Sequence, residues 1–236
     1  MDEYLGFVYE KRIERAIKSL KANRMDARYF ESKEALLDEL KIMVPKGSVI
    51  GCGGSVTLVE TGLMKFIKSG EFHYIEREGK DLSTEEEKFA RMREMYFADY
   101  YFMSSNAITE DGYLYNVDGR GNRVSPMIFG PKNVIIIAGS NKIVKNLEEA
   151  KERVKALAAP ANAKRLKKDT GCIKTGVCCD CKSPDRICCV EVITGYQRFP
   201  EMCIRDRYQI GRRRKKDRKA AFFGKINSQG KIGLFI

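Results

Sequence analysis

Six of the eight cysteines in this 236-residue chain fall within residues 171–189, GCIKTGVCCDCKSPDRICC. Four of them follow the spacing C-x5-C-x2-C-x6-C, and the C-x2-C core lets two thiolates from one tight turn reach the same ion. The metal ligands predicted from this spacing are Cys172, Cys178, Cys181 and Cys188. Four thiolates suit either tetrahedral zinc or a 4Fe–4S iron–sulfur cluster, and this spacing is not the ferredoxin run that would distinguish them.

Disulfide bonds and free thiols account for the cysteine segment less well than a metal does. Disulfides need an oxidising compartment, and the chain begins MDEYLGFVYEKRIER without the apolar stretch of a secretory signal, so we expect a cytoplasmic protein. Free thiols are usually small buried side chains, whereas this segment is polar. Cys179 and Cys189 directly follow predicted ligands, so their side chains should point away from the ion.

Positive charge is concentrated at the C-terminal end. The formal net charge is +12, and residues 202–236 hold eleven Lys/Arg and two acids, a net of +9 that leaves +3 for the first 201 residues. The globular part therefore does not favour a nucleic-acid partner. The chain lacks the run of about eighteen apolar residues that a membrane span needs.

The basic tail differs from the rest of the chain. Its hexapeptide MCIRDR, residues 202–207, matches one reading frame of a transposon end used as a sequencing adapter, and GRRRKKDRK has neither helical nor strand periodicity. We interpret the tail as adapter-derived or out of frame; a genuine tail would bind nucleic acid. The predicted organisation is an α/β domain at 1–160, a cysteine-rich metal-binding segment at 161–199 and this tail at 200–236.

Helices and short strands alternate along the first 160 residues. Helical spacing is present over residues 10–21, Ser32 offers an N-cap for the next helix, and Ser83 with Glu86 forms a capping-box pattern. The run VIIIAG at residues 134–139 is fully apolar, which predicts a strand in the middle of a parallel sheet.

Later boundaries follow from turn residues. Residues 113–118 and the glycine-rich stretch 119–123 suggest a hairpin. A helix from residue 147 should stop before Pro160, so the bend at residues 159–163 is the predicted border of the α/β domain.

The strand SVIG, residues 48–51, continues into a glycine loop and a helix predicted over residues 56–69. Such glycines let the backbone approach a ligand, and a helix start offers N–H groups to an anion, but the same glycines could serve only a tight turn. Lys142, past the apolar strand, and Arg123 could hold an anionic substrate or form surface salt bridges. Cys52 should be a packed side chain, because the only histidine, His73, lies in another segment.

The blocks GCGGSVTLVETG, SSNAITEDGYLYNVDGRGNR, FGPKNVIIIAGSNKIV and AAPANAKRL, followed by the cysteine segment, closely resemble the LUD-domain family of lactate-utilisation proteins, in its branch with a C-terminal cysteine cluster. The resemblance runs from about Arg12 to about Val192. It implies a three-layer α/β sandwich with a largely parallel sheet, like that of sugar-phosphate isomerases and CoA transferases, plus a small cysteine-rich appendage. It also implies a role in oxidising L-lactate to pyruvate beside iron–sulfur or flavin partner subunits.

The resemblance also assigns site residues. The substrate-binding positions are Gly51, Gly53, Gly54, Ser55, Thr57, Asn106, Thr109, Asn122, Arg123, Asn141 and Lys142. The resemblance gives no settled catalytic mechanism, so the catalytic residues are unknown. The carboxylates we nominate for proton transfer are Glu60, Glu110 and Asp111, although acids in loops are often turn formers. The family's closing apolar strand is expected to be missing after about Arg198. No G-x-G-x-x-G fingerprint for a nicotinamide cofactor is present, so a hydride acceptor should belong to a partner.

Three functions are compatible with these features. The first is an oxidoreductase subunit that binds a small carboxylate and relays electrons through the cysteine site. The second is a non-catalytic, zinc-stabilised metabolite-binding or scaffold module. A folate- or CoA-linked transferase rests on fold analogy alone. A homo-oligomer is compatible with each of them.

Overall fold

Two β-sheets carry the fold in a computed structural model that describes residues 3–79, 81–198 and 232–235. The strands are β1 Asp26–Arg28, β2 Val49–Cys52, β3 His73–Tyr74, β4 Tyr100–Met103, β5 Ala107–Thr109, β6 Leu114–Asp118, β7 Asn133–Ile137, β8 Ile143–Val144, β9 Val190–Thr194 and β10 Ile232–Phe235. The helices are α1 Glu3–Ala22, α2 Lys33–Met43, α3 Val56–Glu60, α4 Leu63–Ile67, α5 Glu85–Glu94, α6 Val124–Phe129, α7 Leu147–Arg153, α8 Ala159–Arg165 and α9 Gly171–Thr175. A π turn at Val154–Ala158 joins α7 to α8.

The larger sheet has the strand order β1-β10-β7-β4-β2-β3, and all its pairings are parallel. Its central strands are apolar because both faces are covered. In β4, Tyr101 and Met103 pack on the side of α1, whereas Phe102 packs on the side of α2, α3 and α4. The alternation of β7 is the same, with Ile136 on the first side and Ile135 on the second. The predicted three-layer α/β sandwich is confirmed.

The smaller sheet, with the order β8-β5-β6-β9, lies beyond the α1 side of the larger one. Ile108 and Leu114 join the core that α1 shares with the larger sheet. On the opposite face, Ala107 and Tyr115 pack with Ala150 of α7. Strand β9 pairs with β6, so the chain that follows the cysteine segment is part of this sheet.

Helix starts agree closely with the sequence prediction. Ser32 Oγ accepts a hydrogen bond of 3.1 Å from the N–H of Ala35 and caps α2, as expected. The capping box of α5 is displaced by one residue, since Thr84 and Glu87 form it instead of Ser83 and Glu86. The sequence STEEE allows both frames. The helix predicted over residues 56–69 is broken into α3 and α4 at Gly62, whose φ is +79°.

Two predicted boundaries are wrong. The hairpin partner of β6 is β5, joined to it by a tight turn at residues 110–113, while residues 119–123 lead into α6. Gly112 in that turn has a φ of +90°, which favours glycine. The bend predicted at residues 159–163 is absent from the structure, because Pro160 lies in the first turn of α8, where its missing N–H has little effect. The predicted border of the α/β domain thus falls within a helical run.

The expectation that the closing apolar strand is missing is also wrong. The backbone of β10 pairs in parallel with β1 on one side and β7 on the other. The residues IGLF are apolar, as an interior strand of a parallel sheet requires. The adapter motif at residues 202–207 and the basic run after it lie outside the described residues.

Candidate anion-binding site

The carboxyl ends of β2, β4 and β7 are adjacent at one edge of the larger sheet, and the segments that follow them converge. Lys142 follows β7, and its Nζ donates to Thr57 Oγ1 at 2.9 Å and to Ser104 Oγ at 2.6 Å. Thr57 follows β2, and Ser104 follows β4. One ammonium therefore joins three strand ends, the position at which parallel α/β sheets commonly bind ligands.

A cavity of about 700 Å³ opens beside Lys142. Its walls come from the three strand ends, the segment between β6 and α6, α8, and residues 184–187 of the cysteine segment. Eight basic side chains line it against three acidic ones, an excess of five positive charges. The basic residues are Arg77, Arg120, Arg123, Lys142, Arg153, Arg165, Lys168 and Arg186, and the acidic ones are Glu78, Asp118 and Asp185.

The surroundings of Lys142 disfavour the charged form of its side chain. Burial lowers the pKa of its ammonium to about 8, and the nearby charges of Arg153 and Arg123 contribute to this lowering, while Glu60 acts in the opposite direction. Within the part of the chain that the structure describes, no carboxylate lies in salt-bridge contact with Lys142 Nζ. An anion bound beside Nζ would stabilise the protonated ammonium.

Arg153 of α7 is the second cation at this end of the cavity. Its guanidinium donates to the carbonyl of Asn106 at 2.6 Å and to that of Asn141 at 3.2 Å. These partners are neutral, and burial lowers the pKa of Arg153. Arg153 thus fixes the two loops on either side of Lys142 and leaves its charge without a carboxylate among the described residues.

The guanidinium of Arg123 makes its hydrogen bonds to other groups of the protein. Its two Nη atoms donate to Ser104 O, Asn116 Oδ1, Asn106 Oδ1 and Val117 O at 2.7 to 2.9 Å. A guanidinium whose Nη hydrogens are all engaged has no free pair of donors for a substrate carboxylate. The structure therefore places Arg123 as a clamp that shapes the cavity wall, instead of the bidentate substrate clamp considered from the sequence.

The glycines of the loop after β2 leave room for the side chains of two arginines that pack directly against the backbone. A Cβ at Gly53 would lie 2.9 Å from Arg123 Cγ, and one at Gly54 would lie 2.6 Å from an Arg77 Nη atom. Gly51 packs against Met95 in the same way. Because α3 has only five residues, we attribute the anion site to side-chain cations and not to the helix start. The sequence left open an anion-binding loop or a tight turn, and the contacts give these glycines a third role, room for neighbouring side chains.

Several predicted site residues lie elsewhere. Glu110 is held between Arg12, at 2.8 Å, and Arg15 of α1. Asp111 is exposed in the turn after β5, and Thr109 is fully buried and accepts from the N–H of Tyr113. None of these lines the cavity, so we no longer regard Glu110 and Asp111 as candidates for proton transfer.

Some of the remaining predicted site residues line the cavity, and others lie beside it. Ser55, Thr57, Asn106 and Asn122 line the cavity with Lys142. Glu60 and Asn141 are exposed beside it.

Arg77, Arg153 and Arg165 are cavity residues that the sequence patterns did not reveal. Arg77 follows the short edge strand β3, while Arg153 and Arg165 lie on the helical run from α7 to α8. The two helical arginines are 12 residues apart, and neither lies in one of the loops that the sequence analysis singled out. The basic content of that helical run does not distinguish Arg153 and Arg165 from exposed basic residues on the same helices.

The cysteine segment folds as α9 followed by an irregular loop. Arg186 donates to the carbonyls of Cys181 at 2.8 Å and Cys188 at 3.0 Å, which holds these two residues on one loop. Hydrogen bonds from the N–H groups of Ser183 and Gly171 lower the pKa of the Cys181 thiol. Among residues 3–79, 81–198 and 232–235, no three or more His, Cys, Asp or Glu side chains are arranged as a metal site. The four-cysteine metal site stays a prediction.

Cys52 is a packed residue, as predicted. Its Sγ lies 3.2 Å from the Tyr74 hydroxyl, and burial raises the pKa of the thiol, which disfavours a nucleophilic thiolate. Cys52 and Tyr74 line a smaller cavity of about 370 Å³ that adjoins the first. Arg77 and Arg165 line both cavities and lie at their junction.

Comparison with known proteins identifies a family and a similar solved structure. A family model described as the LUD domain matches residues 13–204. A crystal structure of a DUF162 family protein from Deinococcus radiodurans is similar, with a TM-score of 0.44 and 15% identity, and the alignment covers 67% of this chain and 84% of that one. No curated protein matches the chain. None of the helices in the described part of the chain has the length and apolar character that a membrane crossing requires.

Proposed function

Since the chain belongs to the LUD-domain family, a family of lactate-utilisation-type proteins, we propose that it is a cytoplasmic subunit of a system that oxidises L-lactate to pyruvate or performs a related electron transfer. In this proposal the cavity beside Lys142 holds the small carboxylate. The observation that supports it best is the ammonium of Lys142, which contacts two hydroxyl oxygens and, among the described residues, no carboxylate.

Lys142 would bind the substrate as a cation. With a pKa of about 8 its side chain is mainly protonated at pH 7, and the hydroxyls of Thr57 and Ser104 fix its position. Arg153 adds a second positive charge, and the hydrogen bonds of Arg123 keep the wall in place before the ligand arrives. A site whose cations are already oriented loses little free energy to rearrangement when a carboxylate binds.

Lactate oxidation removes a hydride from the α-carbon and a proton from the hydroxyl, so two electrons must pass to an acceptor. Among the acidic side chains of the cavity, Asp118 is engaged by the protein, because it accepts from the backbone N–H of Arg123 at 3.0 Å and lies 4.0 Å from its Nε. The role of this chain is then to bind and orient the acid. We assign the electron acceptor to a flavin or iron–sulfur partner subunit.

We also propose that Cys172, Cys178, Cys181 and Cys188 hold an iron–sulfur cluster or zinc. Four thiols on one short segment, Cys172 in α9 and the other three in the loop after it, are the donor type that both accept. Residues 184–187 of that loop line the cavity, which supports a metal close to the ligand. An iron–sulfur cluster would supply one-electron transfer, whereas zinc would only stabilise the loop. The loop must tighten to gather the four sulfurs.

One observation favours the second candidate, a zinc-stabilised binding or scaffold module without turnover. Glu110, which pairs with Arg12 of α1, and Asp111, which is exposed in the turn after β5, are two of the three carboxylates nominated for proton transfer, and both lie outside the cavity. A site that binds an acid through several cations, with two of the nominated carboxylates elsewhere, can hold the acid without converting it.

Anaerobic purification and calorimetry separate these functions. The electron-transfer proposal predicts brown protein that dithionite bleaches, with iron and sulfide in stoichiometric amounts, and L-lactate binding that Lys142→Met weakens about tenfold or more. Colourless protein with one zinc and lactate binding supports the module. Wild-type protein that binds neither lactate nor pyruvate would contradict the proposed function.

A further inference from the structure

The cavity is too large and too positive for lactate alone. Lactate has three carbon atoms and one negative charge, whereas a volume of about 700 Å³ is in the range that accommodates drug-sized ligands. The excess of five positive charges along the wall would remain mostly uncompensated by one carboxylate. Both facts indicate a longer ligand with more than one anionic group.

The cations lie in two groups at opposite ends of one short backbone segment. Lys142 contacts Thr57, while the guanidinium of Arg77 packs so closely on Gly54 that a methyl group there would meet it at 2.6 Å. Gly54 and Thr57 are three residues apart at the start of α3, and even a fully extended chain spans at most roughly 10 Å over three residues. One metabolite can therefore reach both groups.

Arg165 joins Arg77 in the outer group. Both arginines line the main cavity and the adjoining one of about 370 Å³. The Nε and Nη2 atoms of Arg165 donate to the amide oxygen of Asn162, at 3.1 and 2.7 Å, and its positive charge has no carboxylate partner among the described residues. Within the described part of the chain, Arg77 forms one ion pair, with the side chain of Glu78, which is 77% exposed and so a weak competitor.

We propose that Arg77 and Arg165 form a second anion subsite for a phosphate group, so that the ligand of this cavity is a hydroxy acid that carries a phosphate. Two guanidinium groups match the oxygens of a phosphate, each presenting paired N–H donors, and a dianion neutralises more of the excess charge than a carboxylate does. This inference rests on the proposed function in one respect, the binding of the carboxylate end at Lys142.

Three probes with a shared hydroxy-acid end test the subsite in the full-length chain. D-glycerate has only the carboxylate end, 3-phospho-D-glycerate adds a phosphate, and D-2-hydroxyglutarate adds a carboxylate at the same spacing. Calorimetry should show 3-phosphoglycerate binding at least about tenfold more tightly than either of the others. Arg77→Gln and Arg165→Gln should each reduce that preference to about threefold or less and leave glycerate affinity unchanged. Lys33→Gln, which removes an exposed positive charge on α2, should leave the preference intact.

The outcomes separate this inference from the proposed function. Equal affinity for glycerate and 3-phosphoglycerate would overturn the subsite while lactate binding stands, and equal affinity for hydroxyglutarate and 3-phosphoglycerate would overturn its assignment to phosphate. Tight binding of 3-phosphoglycerate without any binding of lactate would support the subsite and contradict the proposed substrate. Thermal melting of each variant shows whether it is folded, and if Arg77→Gln unfolds, the exposed Arg165 gives the same comparison.

Discussion

Arg123 Nη2 donates a hydrogen bond of 2.8 Å to Asn106 Oδ1, and this contact joins the segment before α6 to the loop after β4. The same side chain binds the carbonyl of Ser104, whose hydroxyl accepts from Lys142. The position of the substrate-facing ammonium therefore depends on an arginine that does not face the substrate.

Replacing Arg123 by lysine should disrupt this network. An ammonium has three donors on one atom and cannot reach the four acceptors that the guanidinium serves. We expect a loss of about 2–4 kcal/mol in the free energy of unfolding and at least about tenfold weaker lactate binding, measured by urea unfolding and calorimetry. Arg120→Lys is the matched control for stability, because Arg120 is largely exposed and makes one loose ion pair with Glu85. Equal stability of the two variants would contradict the clamp.

Lactate binding should depend on pH through Lys142. Burial lowers the pKa of this ammonium to about 8, so the binding form is lost above that value. Affinity should be constant below about pH 7 and fall about tenfold per unit above pH 8, while Lys142→Met should bind weakly at every pH. The unfolded chain holds this proton up to a higher pH than the folded one, so folding stability from Lys142 should rise between about pH 8 and 10.5. Lactate affinity that is unchanged through pH 9 would argue against Lys142 as the ligand.

We expect Glu110 to contribute to the stability of the fold and not to lactate binding. Partial burial tends to raise its pKa, but hydrogen bonds from Arg15 and Arg12 outweigh that effect and lower it. Glu110→Gln should destabilise the packing of α1 by roughly 1–3 kcal/mol above pH 5, and the difference from wild type should disappear as the pH falls through the folded pKa of Glu110. Lactate affinity should not change. Glu14→Gln, which alters an exposed ion pair on the same helix, is the control.

If Glu110→Gln kept full stability and lost turnover, Glu110 would be catalytic after all.

The layered architecture could be predicted because its signals are local. The apolar runs of β2 and β7 and the N-cap at Ser32 each depend on a few neighbouring residues. Pairing partners depend on distant contacts, and the turn predicted for β6 is wrong because both flanking stretches contain glycine and Asp or Asn. The strand β10 was missed because a basic stretch separates it from the rest of the fold.

The site was predicted in part for a similar reason. Lys142 was found because it follows an obvious strand, and strands of a parallel sheet end at the same edge. Arg153 and Arg165 come from helices that meet the cavity only after folding, and no local pattern marks them. Glu110 belongs to a promising polar loop, but the turn at Gly112 directs it toward α1.

The cysteine ligands can be separated from the spare cysteines by single substitutions. Metal content measured by mass spectrometry should fall sharply in Cys181→Ser and stay at the wild-type level in Cys179→Ser and Cys189→Ser, because the last two were predicted to point away from the ion. Circular dichroism should show most of the α/β body folded in all three, since β9 is held to β6 by backbone pairing over residues 190–194. Unchanged metal content in Cys181→Ser would refute the ligand set.

The most direct test of the carboxylate site is a crystal structure of the protein grown with L-lactate or pyruvate. We expect a carboxylate within hydrogen-bonding distance of Lys142 Nζ, between the hydroxyls of Thr57 and Ser104 and close to Arg153. A carboxylate bound elsewhere, with Lys142 still contacting only those two hydroxyls, would contradict the proposed site.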